Sequence, residues 1–183
     1  LPELMQKMYG DRVIYKKKMI EAKKEFQKTK DPIYKNEIAR CHNIQMAKKI
    51  SLNSAYGAIG NQYFRYFDVK QAEAITLGGQ LSIRWVERDV NRFMNKLLGT
   101  DNKNYVVASD TDSIYLKLDT LVEKVCKGKS TKQIVDFLNK AAEDKIQKVI
   151  DDSYQNLAHY VNAYHQKMIM KREAIANKGI WVA

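Results

Sequence analysis

Apolar or polar residues recur at intervals of three and four positions over four long stretches of the chain, and this spacing predicts four helices, of which the third and fourth have an apolar buried face. The first two helices are predicted over residues 3–29 and 32–58, with a break at Pro32, which cannot continue a helix. Because the break is short, these two helices should form an antiparallel hairpin. Further helices are predicted over 68–99 and 131–164.

The pattern changes between the third and fourth helices. Apolar and β-branched runs at 105–108 and 113–116 flank the polar residues 110–112, Asp-Thr-Asp, which predicts a β-hairpin with two carboxylates at its tip. Residues 167–174 are predicted to be extended. This order of elements predicts an α+β fold, in which a small antiparallel sheet is backed by two long helices.

Two expectations concern packing. The segment 61–67 carries four aromatic side chains and is expected to form core beneath the helical hairpin, and Gly78 and Gly79 are expected to mark a close approach of the third helix to the sheet. The buried face of that helix is predicted to contain Ala72, Ile75, Gly79, Ile83, Val86, Val90, Phe93 and Leu97.

The charge of the chain narrows the choice of partner. Its 183 residues include 32 Lys plus Arg against 21 Asp plus Glu, a formal net charge of +11, which favours a polyanion: nucleic acid first, an anionic membrane surface second. No apolar run approaches the roughly 20 residues that span a bilayer. Cys41 and Cys126 lack the spacing of metal ligands and are typical of a reducing compartment.

Asp110 and Asp112 are candidate metal ligands. Two ionised carboxylates held at one hairpin tip repel each other, and a divalent cation between them relieves that repulsion. The candidates are Mg²⁺ and Mn²⁺. The alternative is an ordinary polar turn, since Asp and Thr favour turns through bonds to their own backbone.

Gln45, Lys49, Asn53, Tyr56 and Gly60 form one stripe along the second helix. It combines a cation, amides, an aromatic ring and a glycine, and this mixture is more typical of a nucleotide-binding surface than of a face packed in a hydrophobic core. A partly exposed surface is the alternative.

The first helix carries a row of cations. Arg12, Lys16 and Lys23 lie close to one face, and such a row can converge on a triphosphate or a phosphate backbone. A solvated charged face is the alternative.

Four stretches in this order resemble motifs of family B DNA polymerases, closest to the T-even bacteriophage type. Asp110-Thr111-Asp112-Ser113 resembles the DTDS element, and residues 49–57, Lys-Ile-Ser-Leu-Asn-Ser-Ala-Tyr-Gly, resemble the KxxxNSxYG helix. Arg12 and Lys16 resemble the RxxxK pair of the fingers, and residues 171–175 are similar to the DREAI strand of the palm. The resemblance implies fingers over 1–60, a partial palm over 61–183, and DNA-directed nucleotidyl transfer by two metal ions.

The resemblance also implies a role for each acidic residue. Asp112 would bridge the two Mg²⁺ ions, Asp110 would ligate or orient nearby, and Glu173 would lie next to the metals as an accessory acid. Lys171 stands where the family has an acidic residue, and Ala108 and Ser109 stand where it often has Tyr and usually has Gly.

The nucleotide-binding roles fall on the first two helices. Cations would hold the incoming dNTP, Lys49 would also assist departure of pyrophosphate, Asn53 would support that contact, and an aromatic ring and a glycine would pack against the nascent base pair. The residues concerned are Arg12, Lys16, Lys49, Asn53, Tyr56 and Gly57.

The family's upstream palm strand, which carries the other metal-bridging Asp, has no counterpart in this sequence, and neither do the exonuclease and thumb. We therefore expect a chain that binds primer-template DNA and dNTP, needs a complementary polymerase segment for activity, and self-associates or pairs with a partner through an exposed sheet edge. We expect it in the cytoplasm of a host bacterium, with no membrane partner.

Two alternatives differ in class. The chain could act alone as a non-catalytic DNA- or nucleotide-binding module, which stoichiometric triphosphate binding without turnover would favour. A nucleotidyl cyclase is disfavoured, because such sites do not use a helix like residues 49–57.

Overall fold

A computed structural model describes residues 2–180. The chain divides into two compact units between Ile75 and Thr76, within the third helix. No helix in the described part is long and apolar enough to cross a membrane.

The first unit is a hairpin of two long helices, α1 (Pro2–Thr29) and α2 (Ile33–Ile59), as predicted. Asp31 organises the turn between them, since its Oδ1 accepts a hydrogen bond of 2.9 Å from the backbone N–H of Ile33. The helices are antiparallel, because Lys48 Nζ lies 2.7 Å from Asp11 Oδ2 and Lys35 lies over the Phe26 ring at the other end.

The residues along the contact between the two helices repeat at alternating three- and four-residue spacings, as in a coiled coil. We call this row the seam. It consists of Met5, Met8, Arg12, Tyr15, Met19, Ala22 and Phe26 on α1, and of Tyr34, Ile38, Cys41, Gln45, Lys48, Leu52, Ala55 and Ile59 on α2, all buried or half-buried.

The prediction that segment 61–67 forms core is wrong. All four of its aromatic side chains are exposed, Tyr63 by 88%. The backbone N–H of Phe64 donates to Asn61 and that of Phe67 to Phe64, so the segment is a run of tight turns in which the rings face outward. After it, the carboxylate of Asp68 accepts from the backbone N–H of Gln71 at 3.2 Å, which confirms Asp68 as the cap of the next helix.

The remaining elements are α3 (Val69–Leu98), β1 (Val106–Asp110), β2 (Ser113–Leu116), α4 (Asp119–Val125), α5 (Thr131–Ala141) and α6 (Gln147–Tyr160). The two strands pair antiparallel, with Asp110 opposite Ser113 and a register shift between Val106 and Ala108. The predicted β-hairpin and the α+β class are confirmed.

The core of the second unit lies between the sheet and the long helices, as predicted. Val86, Val90, Met94 and Leu98 recur every four residues along α3 and are buried against Tyr105, Val106, Leu121, Leu138, Ile146, Ile150 and Tyr154. Ile114 and Leu116 of β2 pack against the same cluster.

Three details differ from the prediction for α3. Ile75 and Leu97 are exposed by 55% and 42%, because the buried face follows a strict four-residue spacing. A Cβ added at Gly78 or Gly79 would meet no atom within 4 Å, so these glycines do not mark a close approach.

The predicted helix over 131–164 is interrupted and shorter. A π-helical turn, Ala142–Ile146, joins α5 to α6, which ends at Tyr160, and the short α4 was not predicted. Residues 167–174 have no regular secondary structure and pair with neither of the two described strands. The sequence Gly-Ile-Trp-Val-Ala at 179–183 also predicts a strand. Residues 179 and 180 are not in a strand, and the last three residues lie outside the described part.

Candidate functional site

The tip of the β-hairpin is a two-residue turn that presents both candidate metal ligands. Asp110 ends β1 opposite Ser113, and Thr111 and Asp112 connect the strands. The Thr111 hydroxyl donates to Asp110 Oδ1 at 3.0 Å, and the Ser113 hydroxyl donates to the Asp110 backbone carbonyl at 3.1 Å. Both carboxylates are exposed, so they are open to a ligand.

Thr111 has a positive φ of 51°. A positive φ at the first central position is typical of a type II′ turn, where glycine is favoured, and a β-branched residue there is strained. Such strain is concentrated at functional sites. The hairpin is thus held in a tight turn with a carboxylate on either side of its strained residue.

Tyr154 on α6 adds to this site, although its position in the sequence suggests only a core residue. Its side chain is 5% exposed, and burial raises the pKa of its hydroxyl, with the Asp112 carboxylate raising that pKa further. Tyr154 therefore stays neutral, and Asp112 lies within electrostatic reach of a buried phenol.

The donor set at the tip fits a hard divalent cation only in part. Mg²⁺ binds carboxylate oxygens and retains several waters, which two exposed aspartates can satisfy. Within residues 2–180 no three Asp, Glu, His or Cys side chains are grouped closely enough to hold a metal ion, so Glu173 does not complete a triad there. Glu173 is exposed. Its segment is connected to α6 by a hydrogen bond of 2.8 Å, which the side-chain amide of Gln147 donates to the backbone carbonyl of Met170.

In the first unit, α2 exposes Lys49, Asn53, Tyr56 and Gly57, which lie within two turns of one another. Gln45, which the sequence grouped with them, is instead buried in the seam at 8% exposure. The exposed part of the stripe therefore begins at Lys49.

The α1 cations divide into two kinds. Lys16 is exposed, whereas Arg12 is half-buried in the seam, and its Nε is buried with no hydrogen-bond partner in the described part of the chain. An unsatisfied guanidinium donor costs stability unless a ligand completes it. Asp11 and Lys48, whose ion pair lies beside Arg12 and Lys49, were not singled out in the sequence, because a contact 37 residues apart leaves no local pattern.

Gly57 has no structural requirement for glycine. It lies inside α2, and an added Cβ would meet no atom within 4 Å. Glycine in a helix interior lowers stability by about 1 kcal/mol relative to alanine. A glycine that the fold does not need is a candidate for close approach by a ligand.

We expect Gly57→Ala to raise the free energy of unfolding by about 0.5–1 kcal/mol. If Gly57 packs against the nascent base pair, as the resemblance to family B DNA polymerases implies, the added methyl group should also reduce primer extension by the chain together with its complementary polymerase segment. Urea unfolding and extension assays measure the two effects. Gly10→Ala on α1 is the matched control: it also has open space, and should stabilise without loss of extension. Equal extension by Gly57→Ala and wild type would remove Gly57 from the site.

The helical hairpin and the tight acidic β-hairpin are the elements that the resemblance to family B DNA polymerases predicts, and comparison with known proteins shows the class. The chain belongs to DNA polymerase family B, whose family model matches residues 1–179. It is 42% identical over 134 residues to the DNA-directed DNA polymerase of Escherichia phage RB69 and 41% identical over the same length to that of Enterobacteria phage T4. These matches cover 72% of this chain and 15% of each relative, and they confirm the predicted T-even type.

Proposed function

We propose that the chain supplies the fingers, residues 1–60, and part of the palm, residues 61–183, of a DNA-directed DNA polymerase. The observation that carries this proposal is the exposure of two groups of motif residues: Asp110 and Asp112 at the hairpin tip, and Lys49, Asn53, Tyr56 and Gly57 on α2. Each group lies at the surface of its unit and has the chemistry that its part of the reaction needs.

Asp110 and Asp112 would hold Mg²⁺, with Mn²⁺ as the alternative. In the complete enzyme two such ions would supply Lewis-acid chemistry: activation of the primer 3′-hydroxyl and neutralisation of charge on the triphosphate and its leaving group. Asp112 would be the ligand shared by the two ions, and Asp110, which accepts a hydrogen bond from Thr111, would ligate or orient nearby. Glu173 acts as an accessory acid.

The residues of α1 and α2 bind the incoming dNTP. Arg12, Lys16 and Lys49 provide charge-assisted hydrogen bonds to the triphosphate, and Lys49 also donates to the departing pyrophosphate. Asn53 supports that contact. Tyr56 and Gly57 form a surface for the nascent base pair.

Completion of the site would use a complementary polymerase segment that carries a further palm Asp. Two features support this: no third carboxylate joins Asp110 and Asp112 in residues 2–180, and the sheet described there has only two strands, each with an edge that no other strand covers. Such an edge can accept a strand from a partner or from a second copy. Since the relatives come from phages, the chain would act in the cytoplasm of the infected bacterium.

The test is Mg²⁺-dependent primer extension by the purified chain, alone and mixed with a separately made upstream segment that carries the missing palm Asp. Extension only in the mixture supports completion in trans. Extension by the chain alone would show that the ligand assignment is wrong, beginning with Glu173. No extension in either case would contradict the proposal.

A second candidate is a non-catalytic DNA- or nucleotide-binding module. The net charge of +11 favours it, because a basic surface binds polyanions without any metal site. Stoichiometric dNTP binding, with no turnover even in the mixture, would distinguish it from the polymerase.

A further inference from the structure

Cations on one side of the helical hairpin are paired with carboxylates. We call this the paired side, and its ion pairs are Lys48 with Asp11, Arg40 with Glu37, and Lys28 with Glu25. Hydrogen bonds from Cys41 and Arg40 lower the pKa of the Glu37 carboxyl, and the charge of Lys18 lowers it further. The row of α1 that contains Lys18 therefore lies beside Glu37 of α2 on this side.

The opposite side of the seam has cations that are not paired. Residues seven apart keep the same position relative to the seam, because the seam itself repeats every seven residues. We call this the basic side, and its two rows are Lys16, Lys23 and Lys30, along α1 and just past its end, and Lys35, His42 and Lys49, along α2. All six side chains are exposed, and none of the five lysines forms an ion pair within residues 2–180.

Positive charge on the basic side is concentrated at the turn of the hairpin. The ammonium groups of Lys30 and Lys35 lie 5.8 Å and 5.5 Å from the centroid of the same ring, that of Phe26. Asp31 is in this turn as well, but its carboxylate accepts the backbone N–H of Ile33 and forms no ion pair within residues 2–180. An anion near the two ammonium groups would relieve their mutual repulsion.

The length of the basic side exceeds what a triphosphate can occupy. Lys16 to Lys30 and Lys35 to Lys49 each span about 20 Å along the hairpin. Three phosphates joined through shared oxygens at Lys16 and Lys49 cannot also reach Lys30 and Lys35. A stacked strand of DNA has one phosphate about every 3.4 Å, so about six nucleotides match the span.

The width of the basic side fits one phosphate backbone. Packed helices lie about 8–10 Å apart, so long lysine side chains from both rows can reach a single strand that lies in the groove between them. The two helices provide no second groove on this side for the other strand of a duplex. A positive groove that follows the backbone is typical of proteins that bind single-stranded nucleic acid.

We propose that the groove on the basic side binds single-stranded DNA through its phosphates, with Lys23, Lys30 and Lys35 as the main contacts. We call these three the distal lysines. The inference goes beyond the proposed function, which gives the distal lysines no role. Because the contacts are to phosphates, binding is independent of base sequence and weakens as salt increases.

Fluorescence anisotropy with a labelled dT oligonucleotide of about twelve nucleotides tests the proposal on the full chain. The triple variant Lys23→Gln, Lys30→Gln, Lys35→Gln should bind about tenfold more weakly than wild type at about 0.1 M salt. Its plot of log affinity against log salt should be less steep by about 2, because each phosphate contact to a single strand contributes about 0.7. A wild-type chain that does not bind the oligonucleotide, or a triple variant with wild-type affinity, would overturn the proposal.

The matched control removes three cations from the paired side instead: Lys18→Gln, Lys28→Gln and Arg40→Gln. It should keep the affinity for the oligonucleotide within about twofold of wild type, with an unchanged salt dependence. Circular dichroism checks that both triple variants remain helical. Equal losses for the two triple variants would mean that overall charge, and not this groove, attracts DNA.

A blunt duplex of the same length tests which form of DNA the groove accepts. The single strand should bind more tightly than the duplex, and only its binding should depend on the distal lysines. If the duplex binds more tightly and the distal variant weakens it as much, the assignment to a single strand is wrong.

Titration with Mg²⁺–dATP separates this proposal from the proposed function. The distal variant retains Arg12, Lys16 and Lys49, and a charge about 10 Å away is largely screened at about 0.1 M salt, so its affinity for dATP should stay within about twofold of wild type. A parallel loss of dATP affinity would place the distal lysines in the triphosphate site and overturn the proposal. If the wild-type chain binds the oligonucleotide but no dATP, the proposed function fails in its triphosphate step, whereas the single-strand site stands.

Discussion

Asp112→Asn should abolish primer extension by the complemented enzyme, with a loss of about a thousandfold or more, and should leave the fold intact. The substitution removes the negative charge that would hold both metal ions and leaves Asp110 at the hairpin tip, and within residues 2–180 no group of three Asp, Glu, His or Cys side chains could hold the metals instead. Because Asp112 is exposed in a turn, the free energy of unfolding should change by less than about 0.5 kcal/mol. Extension assays and urea unfolding measure the two quantities.

The pKa of Tyr154 provides a second readout of Asp112→Asn, and this readout does not depend on enzyme activity. The Asp112 carboxylate disfavours the tyrosinate anion and so raises the pKa of Tyr154, in addition to the larger effect of burial. Removal of that charge should therefore lower the pKa of Tyr154, while burial keeps it above its usual value. A titration followed by NMR on tyrosine labelled at Cζ measures the shift.

Asp101→Asn is the matched control, because Asp101 is also an exposed carboxylate in the second unit. It should alter neither extension nor the titration of Tyr154. An Asp112→Asn enzyme that still extends primers at the wild-type rate would refute the metal role. An unchanged Tyr154 titration would show that the phenol does not sense Asp112.

The features that the sequence predicted well are those with local causes. Pro32, Asp68 and Gly99 determine helix ends through their own backbone chemistry, and Gly99 indeed has a positive φ of 61° just past α3. The β-hairpin follows from alternating apolar runs around a turn. For the same reason the position of Asp110 and Asp112 at the tip of that hairpin could be predicted without any knowledge of the rest of the fold, whereas their exposure is known only from the structure.

The errors concern features that depend on distant parts of the chain. Aromatic composition does not reveal whether another surface covers the segment 61–67, and in the described structure its rings are exposed. The π-helical turn Ala142–Ile146 leaves a helical pattern almost unchanged, so it could not be seen in the sequence. The ion pair of Asp11 and Lys48 becomes visible only when the hairpin is formed.

The candidate nucleotide site has one feature with a local cause, which the sequence predicted, and one that depends on a distant part of the chain, which it did not. The stripe on α2 was recognised from its spacing, yet the structure moves Gln45 into the seam and leaves Lys49 as its first exposed member. Helical spacing predicts which residues share a face of the helix, but it does not predict whether a row at the edge of that face is exposed or buried. Which edge of that face is covered depends on where α1 packs.

Lys49→Met should reduce kcat/KM for dNTP incorporation by about a hundredfold in the complemented enzyme, mainly through a higher KM for dNTP. A hydrogen bond between charged groups contributes about 1.5–3 kcal/mol, and Lys49 is exposed and makes no ion pair within residues 2–180, so its ammonium group is available to the triphosphate. If Lys49 also donates to the departing pyrophosphate, kcat falls too. Steady-state kinetics over a range of dNTP concentrations separates the two effects.

Two further variants make this result specific. Lys24→Met removes an exposed cation of α1 outside the site and should leave the KM for dNTP unchanged, which controls for the general loss of positive charge. Lys49→Arg keeps the charge but changes the geometry of donation, so it should recover affinity for dNTP more fully than it recovers kcat. A Lys49→Met enzyme with wild-type nucleotide dependence would contradict the assignment, and equal losses for Lys24→Met and Lys49→Met would mean that the basic surface attracts dNTP only through its overall charge.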